Sequence, residues 1–361
     1  MATSPSGDRI QRGVDILSNR RSNRLMRWDG QNVRADDGAL PGLERIGFVR
    51  SVRTPQFDGI TFHEVLCKSA LNKVPNAAAL PFQYTVNGYR GCSHACRYCF
   101  ARPTHEYLEL NCGNDFDTQV VVKTNVVDVL RRELGRRTWC RETVALGTNT
   151  DPYQRAEGRY ALMPGIIGAL AGSGTPLSIL TKGTLLRRDL PLIVDAAAQV
   201  SVGVSVSLAV GDDELHKQVE PGTPSPQARL GLIAAIREAG LDCHVMVAPV
   251  LPYLTDSVEH LDGLLQRIAS AGANGVTVFG LHLRGSTRDW FMSWLTQTHP
   301  QLVGRYRELY RRGAYLPPSY RDELRMRAAP LIARHGLGGG PRRFETVTTQ
   351  RAAEPVQPTL F

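Results

Sequence analysis

The sequence predicts an α/β protein: a partial (β/α)6 barrel of the TIM type with an N-terminal arm, a small C-terminal helical extension and a disordered tail. Three observations predict it. From Tyr84 onward, short β-branched runs alternate with helical patterns, as in a parallel sheet wrapped by helices. Most of the runs are apolar almost throughout, as strands buried on both faces are. Polar residues able to carry chemistry recur just after the strands, the rim where such barrels place their sites.

Taken in order, residues 1–56 hold scattered arginines, glycines and prolines without sustained periodicity, and read as a mostly loose arm, able to drape in part over the core. Residues 57–296 are expected to form the barrel. Its six strands are predicted at 84–88, 143–147, 177–181, 200–208, 242–249 and 275–281. Between them, 124–134, 163–172, 190–199, 225–240 and 255–272 carry apolar stripes of helical period. The last two helices begin at capping types, Ser225 and Asp256, and stop near Gly240 and Gly272. Residues 297–337 predict two short helices parted at Pro317-Pro318 and rich in arginine and tyrosine. That face fits nucleic acid, or a solvated cap whose tyrosines pack on the barrel. Residues 338–361 read as a disordered tail.

A chain of 361 residues with 42% hydrophobic and 21% charged content can bury a sizeable core. No apolar run approaches the roughly 18 residues that span a membrane, since the best run, 161–174, is broken by Pro164 and several glycines. The arginine-rich start has no apolar signal region, and a cytoplasmic protein is expected. Seven cysteines is an odd number, with Cys67, Cys112, Cys140 and Cys243 scattered; this is no disulfide framework and fits a reducing compartment. A net charge of +9 points to an anionic partner such as nucleic acid, although the bias of arginine over lysine fits a genomic composition effect equally well.

The remaining three cysteines are Cys92, Cys96 and Cys99, in Tyr89-Arg90-Gly91-Cys92-Ser93-His94-Ala95-Cys96-Arg97-Tyr98-Cys99-Phe100. Three thiolates at this spacing can hold three irons of a [4Fe-4S] cluster and leave the fourth open to another ligand, for which S-adenosylmethionine (SAM) is the leading candidate. The competing reading is a structural zinc site. His94 lies too close in sequence to complete its tetrahedron comfortably, and no second Cys-x2-Cys pair follows.

The triplet, with Tyr98 before its last cysteine, resembles the radical SAM superfamily. Glu220-Pro221-Gly222-Thr223, Ser225-Pro226, Arg229, Gly240 and Val247-Ala248-Pro249-Val250 are similar to its spore photoproduct lyase branch, over roughly residues 84–294. The resemblance implies a [4Fe-4S] cluster on Cys92, Cys96 and Cys99, SAM on the open iron, an external low-potential electron donor, and reductive cleavage of SAM to a 5'-deoxyadenosyl radical that abstracts hydrogen from substrate. It also implies cofactor-binding roles. Asp151, helped by Asn149, would receive the methionine amine; Lys182 would face its carboxylate; Ser205 would lie near the ribose. Ser207 stands where the lyases have an asparagine, and Tyr98 and Phe100 would shield the cluster or stack near adenine.

One position departs from the lyases. Thr148 stands where they place a cysteine that returns hydrogen to the product, and a hydroxyl is a poor substitute for a thiol. Cys112 and Cys140 could replace it only if folded into the site; His105 is a candidate to line the site or to support the loop. The substrate therefore stays open, with DNA or RNA leading over a small molecule or peptide, and a metal-binding protein without turnover remains as a third reading. The terminal Gln357-Pro358-Thr359-Leu360-Phe361 resembles the short peptide by which bacterial repair proteins dock on the sliding clamp, through Gln357, Leu360 and Phe361.

Overall fold

The computed structural model describes residues 47–75 and 80–340. Most of the expected arm and nearly all of the expected tail, with Gln357, Leu360 and Phe361, lie outside the described residues.

Among the described residues, eleven strands form two sheets. They are β1 (Phe48–Val52), β2 (Thr61–Val65), β3 (Leu71–Lys73), β4 (Tyr84–Val86), β5 (Tyr89–Arg90), β6 (Gln119–Lys123), β7 (Val144–Leu146), β8 (Leu177–Thr181), β9 (Val202–Ser207), β10 (Cys243–Val250) and β11 (Gly275–Gly280). The larger sheet runs β11-β10-β9-β8-β7-β4-β3. Its six strands from β4 to β11 are parallel and in sequence order, and β3 lies antiparallel on the β4 edge. The fold is thus a partial TIM-type barrel, open between β3 and β11 among the described residues. Each of the six predicted strands is present, most a few residues shorter at one or both ends.

Helices cover the outer face because their apolar residues recur at helical spacing. In Val258–Ser270, Leu261, Leu264, Leu265 and Ile268 are buried on one side. Leu162–Gly172 packs against Val126–Leu134, and Gly165 permits the approach, since a Cβ there would meet Val127 at 2.8 Å. Ser225 caps its helix through the Ala228 amide as expected. The cap of Val258–Ser270 is Ser257, not Asp256. Asp256 instead accepts hydrogen bonds from the Tyr253 amide and the Tyr320 hydroxyl and pairs with Arg327, which ties the C-terminal extension to the barrel.

Two expectations at the ends need correction. Phe48–Val52, inside the region read as a loose arm, is a strand of the second sheet, β1-β2-β6-β5. Its exposed middle, Val49 to Ser51, hides the alternation that marks half-buried strands. At the other end, Leu337 is buried and Gly338 bridges to Gly275, so compact structure runs past residue 337. A Cβ on Gly275 would sit 1.7 Å from the Gly339 carbonyl; glycine lets the chain cover the open edge of β11.

The extension carries Val303–Leu309 and Pro318–Arg334. Tyr306, Tyr310 and Tyr320 are buried, and their hydroxyls donate to the Pro252 carbonyl, the Leu281 carbonyl and Asp256. Tyr315 stays exposed. Among the described residues no helix is long and apolar enough to cross a membrane.

Candidate active site

The cysteine loop does not follow the first barrel strand directly. The chain leaves β4, enters the second sheet as β5, and turns at Gly91 with φ +82°. A side chain on Gly91 would strike the His105 ring at 2.8 Å and two backbone carbonyls at 3.0 Å. His105 donates Nε2–H to the Gln119 carbonyl at 2.8 Å. Burial is the main cause that lowers its pKa, to about 4, so it is a neutral ring that props the loop and does not line the cavity.

The loop backbone is pinned on every side. Gln154 is fully buried, accepts from the Ser93 amide at 2.9 Å, and donates to the Gly91 carbonyl and to Thr150 at 2.9 Å each. The Cys92 amide donates to the Phe116 carbonyl and the Arg97 amide to the Val219 carbonyl, both at 2.9 Å. Arg102, also fully buried, donates to the carbonyls of Cys96, Cys112 and Gly113 and forms a two-pronged pair with Asp117. Thr287 donates to the Cys99 carbonyl at 3.1 Å. With the backbone satisfied elsewhere, Cys92, Cys96 and Cys99 line one cavity as free thiols. Burial pushes the Cys99 thiol up to about 11, with Cys92 adding to the effect. Burial also raises Cys96, and the Lys182 ammonium opposes it.

The opposite wall comes from the carboxyl ends of the barrel strands: Thr148, Asn149 and Asp151 after β7, Lys182 after β8, Ser207 on β9 and Met246 on β10. Gly147 (φ +92°) keeps this wall close, since a Cβ would lie 1.9 Å from the Leu180 carbonyl. Asp151 is heavily engaged by the protein. It accepts from the Thr181 hydroxyl and the Lys182 amide at 2.6 Å each and from the Tyr153 amide at 2.9 Å, and it lies 3.4 Å from His94 Nδ1. Burial alone would raise its carboxyl, but His94 and these donors hold it at about 2. Lys182 Nζ donates to Ser207 at 2.7 Å and stands 4.0 Å from Glu220.

Beneath Lys182 lies a closed polar cluster. Glu220 accepts from the Tyr98 hydroxyl and from Arg229 Nη2, and both carboxylate and guanidinium are fully buried. Burial would raise Glu220, but Arg229 and then Lys182 outweigh it and hold the carboxyl at about 2. Gly222 slides under the cysteine loop: its amide donates to the His94 carbonyl at 3.1 Å, and a Cβ would sit 2.0 Å from the Ser93 carbonyl.

The cavity therefore brings together Cys92, Cys96, Cys99, Tyr98, Asn149, Asp151, Lys182 and Ser207. Ser205 lies one inward-facing position deeper on β9, opposite His244 and Leu180, and does not line it. Thr148 and Phe100 do; Cys112 and Cys140 do not. Sequence reasoning passed over Met246 and Phe279, which strand alternation on β10 and β11 could have found. It also passed over Gln154, for which a lone glutamine in a polar loop offers no signal.

A family model for the Radical SAM superfamily matches residues 86–289. The chain belongs to the radical SAM superfamily. An uncharacterized protein of Mycobacterium tuberculosis is 78% identical over 341 residues, which span 93% of this chain and all of that one. An uncharacterized protein of Methanocaldococcus jannaschii is 29% identical over 202 residues, 55% of this chain and 71% of that one. Among solved structures, spore photoproduct lyase complexed with dinucleoside spore photoproduct superposes with a TM-score of 0.56 at 15% identity, covering 76% of this chain and 79% of that one. A double mutant of that lyase with bound AdoMet and the same dinucleoside gives 0.55 at 16% identity, covering 72% and 76%. These likenesses show a shared fold.

Radical SAM enzymes use a [4Fe-4S] cluster and SAM and need an external electron donor, and this chain is a radical SAM enzyme. The residues present fit the cluster. Three soft thiol donors line one cavity, the donor type by which proteins hold iron–sulfur clusters. No finding supports the sliding-clamp contact expected of the tail.

Proposed function

We propose that Cys92, Cys96 and Cys99 hold the cluster, that SAM fills the open iron position, and that the enzyme abstracts hydrogen from a nucleic-acid substrate. One observation carries this reading: two buried thiols, Cys92 and Cys96, and the half-buried thiol of Cys99 share a cavity with an ammonium, Lys182, and an amide, Asn149. When bound, the group supplies the electron for reductive cleavage of a SAM carbon–sulfur bond, the source of the hydrogen-abstracting species.

The chain's own groups divide the remaining work. Lys182, steadied by Ser207 and Glu220, is suited to a carboxylate. Asp151 has its oxygens committed to Thr181, Tyr153 and Lys182, so it acts as a clamp between the ends of β7 and β8, and Asn149 is left to accept from the methionine amine. Tyr98, tied to Glu220, closes the wall beside the cluster. The buried surroundings exclude water from the reactive species. Among the described residues, the only thiols lining the cavity are the three proposed ligands, so hydrogen return by a further cavity thiol is not part of this reading. The net charge of +9 supports a polyanionic substrate.

The test is anaerobic reconstitution. Roughly four irons and four sulfides per chain are expected, with 5'-deoxyadenosine released on reduction in the presence of SAM, and both lost in Cys92→Ala, Cys96→Ala and Cys99→Ala. Stoichiometric zinc, or a cluster that never yields 5'-deoxyadenosine, overturns the reading. The substrate arm follows deuterium from labelled DNA or RNA into 5'-deoxyadenosine.

A further inference from the structure

Beyond the thiols and Lys182, the cavity wall continues into a run of aromatic rings. Phe279 and His282 line the same cavity as the thiols, and their rings are parallel within 3° with centroids 5.7 Å apart. The Tyr315 ring follows at 5.5 Å from His282, tilted by 56° to it, and the Arg284 guanidinium lies 4.9 Å from the Tyr315 centroid. Phe279 is 38% and Tyr315 50% exposed. Contiguous exposed aromatic surface beside a site marks a contact surface, since large apolar side chains are otherwise withdrawn from water.

The exposure is imposed, not loose. Leu283 donates its amide to the Ala314 carbonyl at 2.9 Å and Tyr310 donates to the Leu281 carbonyl at 2.7 Å. Leu316 is buried, so close to Gly280 that a Cβ there would meet it at 2.4 Å. Tyr315 is thereby held outward between anchored neighbours. Burial and then Arg284 lower the His282 pKa, which leaves a flat, uncharged ring at neutral pH. A second exposed pair joins Tyr253, in the loop after β10, to Arg305 on the helix Val303–Leu309, whose guanidinium lies 5.0 Å from the ring centroid. Aromatic faces alternating with arginines are the chemistry of single-stranded nucleic acid binding, where rings stack on bases and guanidinium groups meet phosphates.

We propose that Phe279, His282 and Tyr315 form a stacking shelf for an unpaired base of a nucleic-acid strand, with Arg284 on its phosphate, and that this shelf presents the nucleotide to the cavity. The inference rests on the radical SAM reading above and names how its substrate is held.

The test uses the reconstituted full chain and short fluorescent oligonucleotides, single-stranded DNA, single-stranded RNA and blunt duplex, read by anisotropy over a salt series. Single strands should bind more tightly than duplex, and the better of DNA and RNA identifies the strand. Tyr315→Leu should weaken single-strand binding by about 5- to 100-fold with an unchanged salt slope, and Tyr315→Trp should restore it. Arg284→Gln should lower the salt slope by about one phosphate contact. Equal binding of duplex and single strand, or wild-type affinity in Tyr315→Leu, overturns the shelf. Formation of 5'-deoxyadenosine without substrate is measured on the same samples: if it persists while oligonucleotide binding fails, the shelf falls and the radical SAM reading stands.

Discussion

Arg229 donates Nη2–H to Glu220 Oε2 at 2.6 Å, and neither side chain reaches solvent. The pair explains why Glu220 and Arg229 stand where they do in the run from Glu220 to Arg229. Glu220 takes the Tyr98 hydroxyl and lies beside Lys182, while Arg229 also donates Nη1–H to the Ser207 carbonyl at 3.0 Å. One buried ion pair thus braces the cysteine loop against β9 and sets the charge around Lys182.

Arg229→Met leaves the Glu220 carboxylate buried without its main partner. Loss of one member of such a pair costs about 3–5 kcal/mol, to be read as a lower urea midpoint with an unchanged slope. Less than about 1 kcal/mol would mean that Lys182 and Tyr98 alone satisfy Glu220.

The same pair sets an acid window. The folded Glu220 carboxyl is held at about 2 against an ordinary 4.5, so its stabilisation is complete above about pH 4.5 and is lost as pH falls toward about 2. The stability difference between wild type and Glu220→Gln should be constant from about pH 7 to 5 and shrink below that. Urea unfolding at a series of pH values measures it; a difference that grows on acidification contradicts the ion pair.

Gly222→Ala forces a Cβ to 2.0 Å from the Ser93 carbonyl, and a backbone atom cannot rotate away. The cysteine loop must shift, so iron and sulfide content after reconstitution should drop severalfold while far-ultraviolet circular dichroism stays near wild type. Gly168→Ala is the control. It sits in a helix with nothing within 4 Å of the added carbon and should leave cluster content unchanged and stability equal or up to about 1 kcal/mol higher.

Lys182→Met keeps the stem and removes the ammonium. SAM affinity, measured by equilibrium dialysis on the reconstituted protein, should fall about 10- to 100-fold, as loss of a charge-assisted hydrogen bond implies. Cluster content should hold. An unchanged affinity would remove Lys182 from the carboxylate role.

Arg102→Met withdraws the donors of the Cys96, Cys112 and Gly113 carbonyls and strands Asp117. A loss of about 3–5 kcal/mol is expected. Cluster incorporation should fall with it, because the Cys96 backbone loses its fully buried anchor.

Some of this protein was legible residue by residue. Six apolar runs with helical patterns between them determined a parallel sheet in sequence order, because strands buried on both faces and helices with one apolar stripe write different periods into the chain. The spacing of Cys92, Cys96 and Cys99 pointed to the cluster, because a compact triplet leaves one iron free. The tertiary structure decided what periodicity does not carry. Gln154 and Gly222 meet the cysteine loop from remote segments, Arg102 folds back onto it from just beyond Cys99, and only the closed fold reveals those contacts. The resemblance gave Asp151 the methionine amine with Asn149 helping; sequence does not show that three protein donors engage the Asp151 carboxylate. Tyr306, Tyr310, Tyr315 and Tyr320 are alike in sequence; packing buries three and turns Tyr315 toward solvent beside His282, because which face of a segment meets the barrel is set by where its neighbours are anchored.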